Sequence, residues 1–202
     1  MNVKLAVVIG FGLMIGALSA AAMLPAARNA FLSGGGPASS GKALIGGPFQ
    51  LTDHHGHKVS DKTYRGKYML VYFGFTYCPD ICPASLQVIS AALDKLGKKA
   101  DQLVPLFITV DPERDTAAKM ADYVKSFSPR LIGLTGTPQQ IQKAAHAYRI
   151  YYAKVKNEDY PGDYTVDHSS FLYLMDRKGR FVTHFDHSVG AGKLAEALAK
   201  RL

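Results

Sequence analysis

Tyr68-Met69-Leu70-Val71-Tyr72-Phe73-Gly74-Phe75-Thr76-Tyr77-Cys78-Pro79-Asp80-Ile81-Cys82-Pro83 is the stretch that decides the fold. Its first half, through Phe75, is nearly all apolar, as expected of a strand buried on both faces. Its second half holds both cysteines of the chain. From Ala84 to Leu96 the apolar residues Leu86, Ile89, Leu93 and Leu96 recur at helical spacing. A thiol pair therefore stands where a buried strand hands over to a helix, with Cys82 in the first helical turn and Cys78 in the loop before it.

Working outward, strand and helix signals alternate. Phe49 to Thr52 and Lys58-Val59 flank a polar turn, as in a small hairpin. Leu103 to Val110 reads as a second buried strand and Ala117 to Phe127 as a helix. Leu131 to Leu134 is a short strand, and Thr137 with Gln140 forms a capping-box pattern opening a helix through Tyr148. Ile150 to Val155 suggests a further strand. Phe171 to Met175 and Phe181 to Phe185 are joined by the turn Asp176-Arg177-Lys178-Gly179, and an amphipathic helix runs from Ala191 to Leu202. This order predicts an α/β fold, a thioredoxin-like three-layer α/β/α domain. The Cys78 loop would lie at the carboxyl end of a central strand, where open α/β sheets carry their ligand sites.

That domain is expected to span 48–202. Ahead of it, Lys4 is followed by the uncharged apolar stretch Leu5 to Leu24. As a helix this would be about 30 Å long, the thickness of a bilayer core. It exceeds the roughly 7–15 apolar residues of a cleaved signal peptide, although Ala20-Ala21-Ala22 leaves cleavage open. Residues 1–24 are therefore expected to form an N-terminal transmembrane helix anchoring the protein. Residues 25–47, with Ser33-Gly34-Gly35-Gly36-Pro37-Ala38-Ser39-Ser40-Gly41, read as a flexible linker. The start lacks an Arg-rich, Ser-rich transit pattern, which points to a bacterial inner membrane with the domain in an oxidising periplasm. The net charge of +8 is spread over the chain. No basic run is interleaved with aromatics, which speaks against a nucleic-acid partner.

Positive potential at a helix N-terminus favours thiolate, the form needed both for disulfide exchange and for metal ligation. A permanent disulfide in an exported protein is one reading of the pair, but so short a loop would stabilise little. The common redox motif separates its cysteines by two residues, whereas three intervene here. Two thiolates alone leave a metal under-coordinated, so a third ligand is sought among the seven histidines. His54, His55 and His57 crowd a polar turn, His146 falls on a helix, and His184 and His187 flank the end of the last strand. All six have ordinary structural readings. His168 differs, because it precedes the strand Phe171 to Met175. In a thioredoxin-like sheet the loop entering that strand faces the thiol loop, and thioredoxins carry a cis-proline there. This chain has no proline between Pro161 and that strand.

Three segments together resemble the Sco (SenC/PrrC-like) family of copper-delivery proteins: Tyr72 through Pro83, Val110-Asp111-Pro112-Glu113-Arg114-Asp115, and Asp167-His168-Ser169. The resemblance covers nearly all of 48–202 and the N-terminal anchor. It implies copper bound through Cys78, Cys82 and His168, and a role in assembling the dinuclear copper centre of a respiratory cytochrome oxidase. Its partner would be the copper-bearing subunit of that oxidase. Soft thiolates suit cuprous ion, and an imidazole also tolerates the cupric state. Zinc remains an outside alternative for this donor set. The competing function is a thiol–disulfide reductase that keeps the partner's copper-ligating cysteines reduced, with Cys78 and Cys82 as its redox pair. A peroxiredoxin-like peroxide reductase is disfavoured by the paired cysteines and the histidine. Asp167 is a candidate to orient His168 through its second ring nitrogen, and equally a turn residue. Asp111, Glu113, Arg114 and Asp115 are expected to cap the strand end and the next helix rather than touch metal.

Overall fold

A computed structural model describes residues 44–156 and 164–202. The expected anchor, residues 1–24, and the linker up to residue 43 lie outside the described residues. Among the described residues no helix is long and apolar enough to cross a membrane.

In chain order, β1 (Gln50–Asp53) and β2 (Lys58–Ser60) form the expected hairpin. β3 (Tyr68–Gly74) leads into α1 (Ile81–Leu96), β4 (Leu103–Thr109) into α2 (Ala117–Val124), and β5 (Ile132–Thr135) into α3 (Pro138–Ala147). β6 (Tyr152–Lys156) and β7 (Tyr164–His168) follow, and β8 (Phe171–Met175), β9 (Phe181–Asp186) and α4 (Ala191–Ala199) close the chain. Seven strands make one sheet in the order β2-β1-β5-β4-β3-β8-β9. β3, β4 and β5 run parallel, while β8 pairs antiparallel with both β3 and β9. β6 and β7 form a separate antiparallel pair.

The central strands explain the layering. β3 is buried at every residue after Tyr68, and Tyr72 and Phe73 have no exposed surface. Because side chains alternate between faces, a strand buried throughout needs cover on both sides of the sheet. α1 and α4 pack on one another, α2 packs against β5, and α3 against β1. The buried stripe of α1 is Cys82, Ser85, Leu86, Ile89, Ala92, Leu93 and Leu96. This is the 3.6-residue period of an amphipathic helix, and Cys82 is its first member. The capping box of α3 is present: Thr137 Oγ1 accepts from Gln140 N at 3.2 Å, Gln140 Oε1 accepts from Thr137 N at 2.8 Å, and Pro138 occupies the first turn.

α1 begins at Ile81, with Cys82 in its first turn as expected, and Pro83 is tolerated there because no intrahelical donor is required. Two differences from the sequence reading have physical causes. Ile45 to Gly47, assigned to the linker, already pack on the domain: Gly46 N donates to Ala147 O at 2.8 Å, and Ile45 lies against the core. The segment before β8, expected to be a loop, is the strand β7. Its alternation is only five residues long, with Tyr164, Val166 and His168 turned inward and Thr165 and Asp167 exposed. So short and polar a run carries almost no periodic signal.

Candidate metal centre

β3 delivers the thiol loop, and a buried carboxylate fixes it. Just beyond the strand, Thr76 N and Thr76 Oγ1 donate to the Asp115 carboxylate at 3.0 and 2.5 Å. Thr109 Oγ1, at the end of β4, donates to the same carboxylate at 2.6 Å. Asp115 has no exposed surface, and burial pushes its carboxyl above the usual range. The three donors hold it in place, so the crossover after β4 is latched to the backbone two residues before Cys78. Gly74 supplies the room: a Cβ there would lie 2.7 Å from Cys82 Sγ and 3.0 Å from Phe107. The sulfur occupies the space that a side chain on the strand would fill.

Both cysteines are free thiols, Cys82 buried and Cys78 half-buried. Their acidities diverge. Cys78 is held well below the ordinary thiol range, first by the Cys82 thiol and also by the backbone amides of Asp80 and Cys82. Its sulfur accepts from Cys82 N at 3.4 Å, at the start of α1. Cys82 is pushed in the opposite direction, by the same contact with Cys78 and by burial. One proton is in effect shared, residing on the inner sulfur and leaving thiolate character on the outer one.

His168 closes the third side. It is the last residue of β7, and its Nε2 lies 3.4 Å from Cys82 Sγ across 86 residues of sequence. The ring sits edge-on to Phe75 and Tyr72, with centroids 5.9 and 6.4 Å away. Nδ1 faces the Ser169 carbonyl oxygen at 3.1 Å. A carbonyl only accepts, so Nδ1 carries the proton and Nε2 presents its lone pair toward the sulfurs. This corrects the reading of Asp167: strand alternation turns it to the exposed face, and a backbone carbonyl orients the imidazole instead.

The segment after β4 does more than cap. Thr116, not Asp115, caps α2, its Oγ1 accepting from Lys119 N at 3.2 Å. Asp111, fully buried, accepts from Arg114 Nε at 2.5 Å and from Tyr164 Oη at 2.7 Å. Arg114 Nη1 donates to Tyr164 O at 2.9 Å. Glu113 pairs with Lys154 of β6 at 2.7 Å on the surface. The remaining histidines take structural places. In the β1–β2 turn Asp53 accepts from the backbone of His55 and His57, and His54 Nδ1 accepts from Gly133 N at 3.1 Å. His146 lies on α3, His184 packs by Phe171 with centroids 5.3 Å apart, and His187 faces Asp186 at 3.5 Å.

Among the described residues no three His, Cys, Asp or Glu side chains are already closed into a metal cage. The donors at the thiol loop are nevertheless suited to one. For bonds of about 2.3 Å to sulfur and about 2.0 Å to nitrogen, opening at about 110–120°, S and N would stand about 3.5–3.8 Å apart. The observed 3.4 Å between Cys82 Sγ and His168 Nε2 needs an adjustment of a few tenths of an ångström. Loss of the shared thiol proton would accompany it.

The sequence profile of the SCO1/SenC family matches residues 37–202. The chain belongs to this family. It is 45% identical over 176 residues to the mitochondrial Protein SCO1 homolog 1 of Arabidopsis thaliana, a match covering 87% of this chain and 52% of that protein. It is also 45% identical over 165 residues to the human mitochondrial SCO1 homolog, covering 80% of this chain and 54% of that one. The chain thus spans about half the length of these curated SCO1 relatives. Among solved structures, Bradyrhizobium japonicum ScoI with copper bound superposes with a TM-score of 0.73 at 51% identity, covering 78% of this chain and 99% of that one. The thioredoxin-like α/β architecture is that of these Sco structures.

Proposed function

We propose that this protein is a membrane-tethered copper metallochaperone, that Cys78, Cys82 and His168 hold the copper ion, and that it is delivered to the dinuclear copper centre of a respiratory cytochrome oxidase. The similar Bradyrhizobium japonicum ScoI structure contains copper, which supports the reading. The observation that carries the reading is the approach of His168 Nε2 to Cys82 Sγ at 3.4 Å, beside a thiolate-leaning Cys78. Two soft sulfurs and one imidazole favour cuprous ion and exclude hard cations, which prefer oxygen. Three protein donors leave a coordination position through which a partner's ligand can enter. The half-buried Cys78 is the donor an incoming thiolate reaches first, and the buried Cys82 the one released last. The partner is the copper-bearing subunit of the oxidase. Residues 1–24 anchor the chain in the bacterial inner membrane, 25–43 tether it, and the domain works in the periplasm.

The thiol–disulfide reductase is a second reading, favoured by the opposed acidities of the two cysteines. The Cys78 thiolate attacks a partner disulfide and releases one partner thiol. Cys82 then resolves the mixed disulfide, leaving a Cys78–Cys82 bridge and a reduced partner. Only the dithiol form binds copper, so the two roles share one pair of sulfurs.

The test mixes the copper-loaded domain with the metal-free, reduced soluble domain of an oxidase copper subunit. Movement of copper with no change in the free-thiol count supports the carrier. Failure to move copper, together with reduction of one partner disulfide per Cys78–Cys82 dithiol by the metal-free reduced protein, would replace it with the reductase.

A further inference from the structure

The hairpin that carries His168 is not part of the main sheet, so something must set its distance from the thiol loop. We propose that Arg114 is the positioning residue that does so, gripping the turn end of this hairpin, where Tyr164 pairs with Lys156, and the residue before Cys78 at the same time. The proposal rests on the reading of His168 as a copper ligand.

The guanidinium is held by three kinds of contact. Its centre lies 3.8 Å from the Tyr164 ring centroid and 4.6 Å from that of Tyr77. Tyr164 opens β7, the strand that ends in His168, and shares its inward face with Val166 and His168. Tyr77 adjoins Cys78. In the guanidinium plane, Nε donates to Asp111 and Nη1 to the Tyr164 carbonyl. Asp111 in turn accepts from the Tyr164 hydroxyl at 2.7 Å, which closes a ring of three residues.

Asp111 follows β4, which lies beside β3 in the sheet, so the fork is referenced to the rigid centre of the fold. The Arg114 side chain is 18% exposed and that of Asp111 is not exposed at all. A desolvated pair of this kind contributes more to fixing one geometry than to net stability. The nearby Lys154–Glu113 pair is different. Both of its side chains are about half exposed, so it holds the hairpin weakly.

Lysine cannot reproduce this arrangement. It has neither the plane that lies against the tyrosine rings nor a fork that reaches a carboxylate and a carbonyl together. Tyr164→Phe is the gentler break, keeping the ring under the cation while removing the hydroxyl bond to Asp111.

The experiment is a double-mutant cycle on cuprous affinity, measured anaerobically against a competing chelator, for wild type, Arg114→Lys, His168→Ala and the double variant. Arg114→Lys should weaken binding by about 10-fold to 100-fold, the range for residues that orient metal ligands. In the His168→Ala background the same change should have no further effect, because the contribution of Arg114 passes through the imidazole. Tyr164→Phe should give a smaller loss with the same dependence on His168.

A second readout needs no copper. In the reduced metal-free protein, amide exchange across β6 and β7 should speed up in Arg114→Lys, while Cys78 alkylates at the wild-type rate. Additive losses in the cycle, or unchanged affinity in Arg114→Lys, would overturn the proposal, as would unaltered exchange in the hairpin. If His168→Ala alone left copper affinity intact, the copper-ligand reading would fail first, and the two failures are distinguishable.

Discussion

Replacing Asp115 separates the geometry of the thiol loop from its charge. The carboxylate accepts from Thr76 N, Thr76 Oγ1 and Thr109 Oγ1 at 3.0, 2.5 and 2.6 Å. Asp115→Ala strands these three donors, and a buried donor without a partner costs about 1–3 kcal/mol. The two hydroxyls can turn elsewhere, and removing a buried carboxylate returns some of its desolvation cost, so the net loss should be about 2–4 kcal/mol. Asp115→Asn should behave differently. Its amide oxygen can accept from Thr76 N and Thr109 Oγ1, while its NH2 donates to a Thr76 hydroxyl that has turned to accept. The expected cost is under about 1 kcal/mol.

The sign of the pH dependence follows from burial. The folded-state pKa of Asp115 is raised. The native state therefore binds this proton more tightly, and stability falls as pH rises from the unfolded pKa through the folded one. The asparagine variant is neutral throughout and should lack that fall, so its stability relative to wild type improves from acid to neutral pH. Urea unfolding of the three reduced proteins at several pH values measures this directly. An alanine variant within about 0.5 kcal/mol of wild type would refute the latch. An asparagine variant as damaged as alanine would show that charge, not geometry, holds Thr76.

The remaining expectations concern the sulfurs themselves. Gly74→Ala places a Cβ 2.7 Å from Cys82 Sγ and 3.0 Å from Phe107, and overpacking of this sort costs about 1–3 kcal/mol. Thermal unfolding should show that loss and chelator competition a weaker copper site; an unchanged melting temperature would mean the sulfur does not occupy that space. In the reduced metal-free protein, iodoacetamide should label Cys78 and spare Cys82. The labelling rate should hold on descending from neutral pH and fall only as Cys78 protonates, well below the pKa of about 8.5 of a free thiol. Cys82→Ala removes the contact that chiefly lowers the Cys78 pKa, so the profile should move to higher pH. A profile that stayed in place would show that the helix start alone sets the acidity.

How much of this the sequence disclosed follows from where its signals are strong. The junction of β3 and α1 was legible because a long apolar run and a helical stripe meet at Cys78 and Cys82, and either signal alone would have been ambiguous. His168 was singled out by its place before β8, although the strand that carries it was not foreseen. Tyr164, Val166 and His168 alternate for too few residues, and their strand pairs outside the main sheet. Ser169 as the partner of Nδ1 was beyond reach, since a backbone carbonyl has no sequence signature. Ile45 to Gly47 merged with the Gly-rich tract before them. Their docking depends on long-range contacts, including one at Gly46 so close that a Cβ would collide with the Met175 methyl. Asp111, Arg114 and Asp115 looked like capping residues because their partners, Tyr164 and Thr76, are 53, 50 and 39 positions away.

X-ray absorption at the copper edge of the anaerobically loaded, reduced domain tests the central claim most directly, run side by side on wild type and His168→Ala. Two sulfur scatterers and one imidazole nitrogen should surround a single cuprous ion, with loss of the imidazole signal alone in the variant. An unchanged spectrum in His168→Ala, or a site with fewer than two sulfurs in the wild type, would contradict that claim.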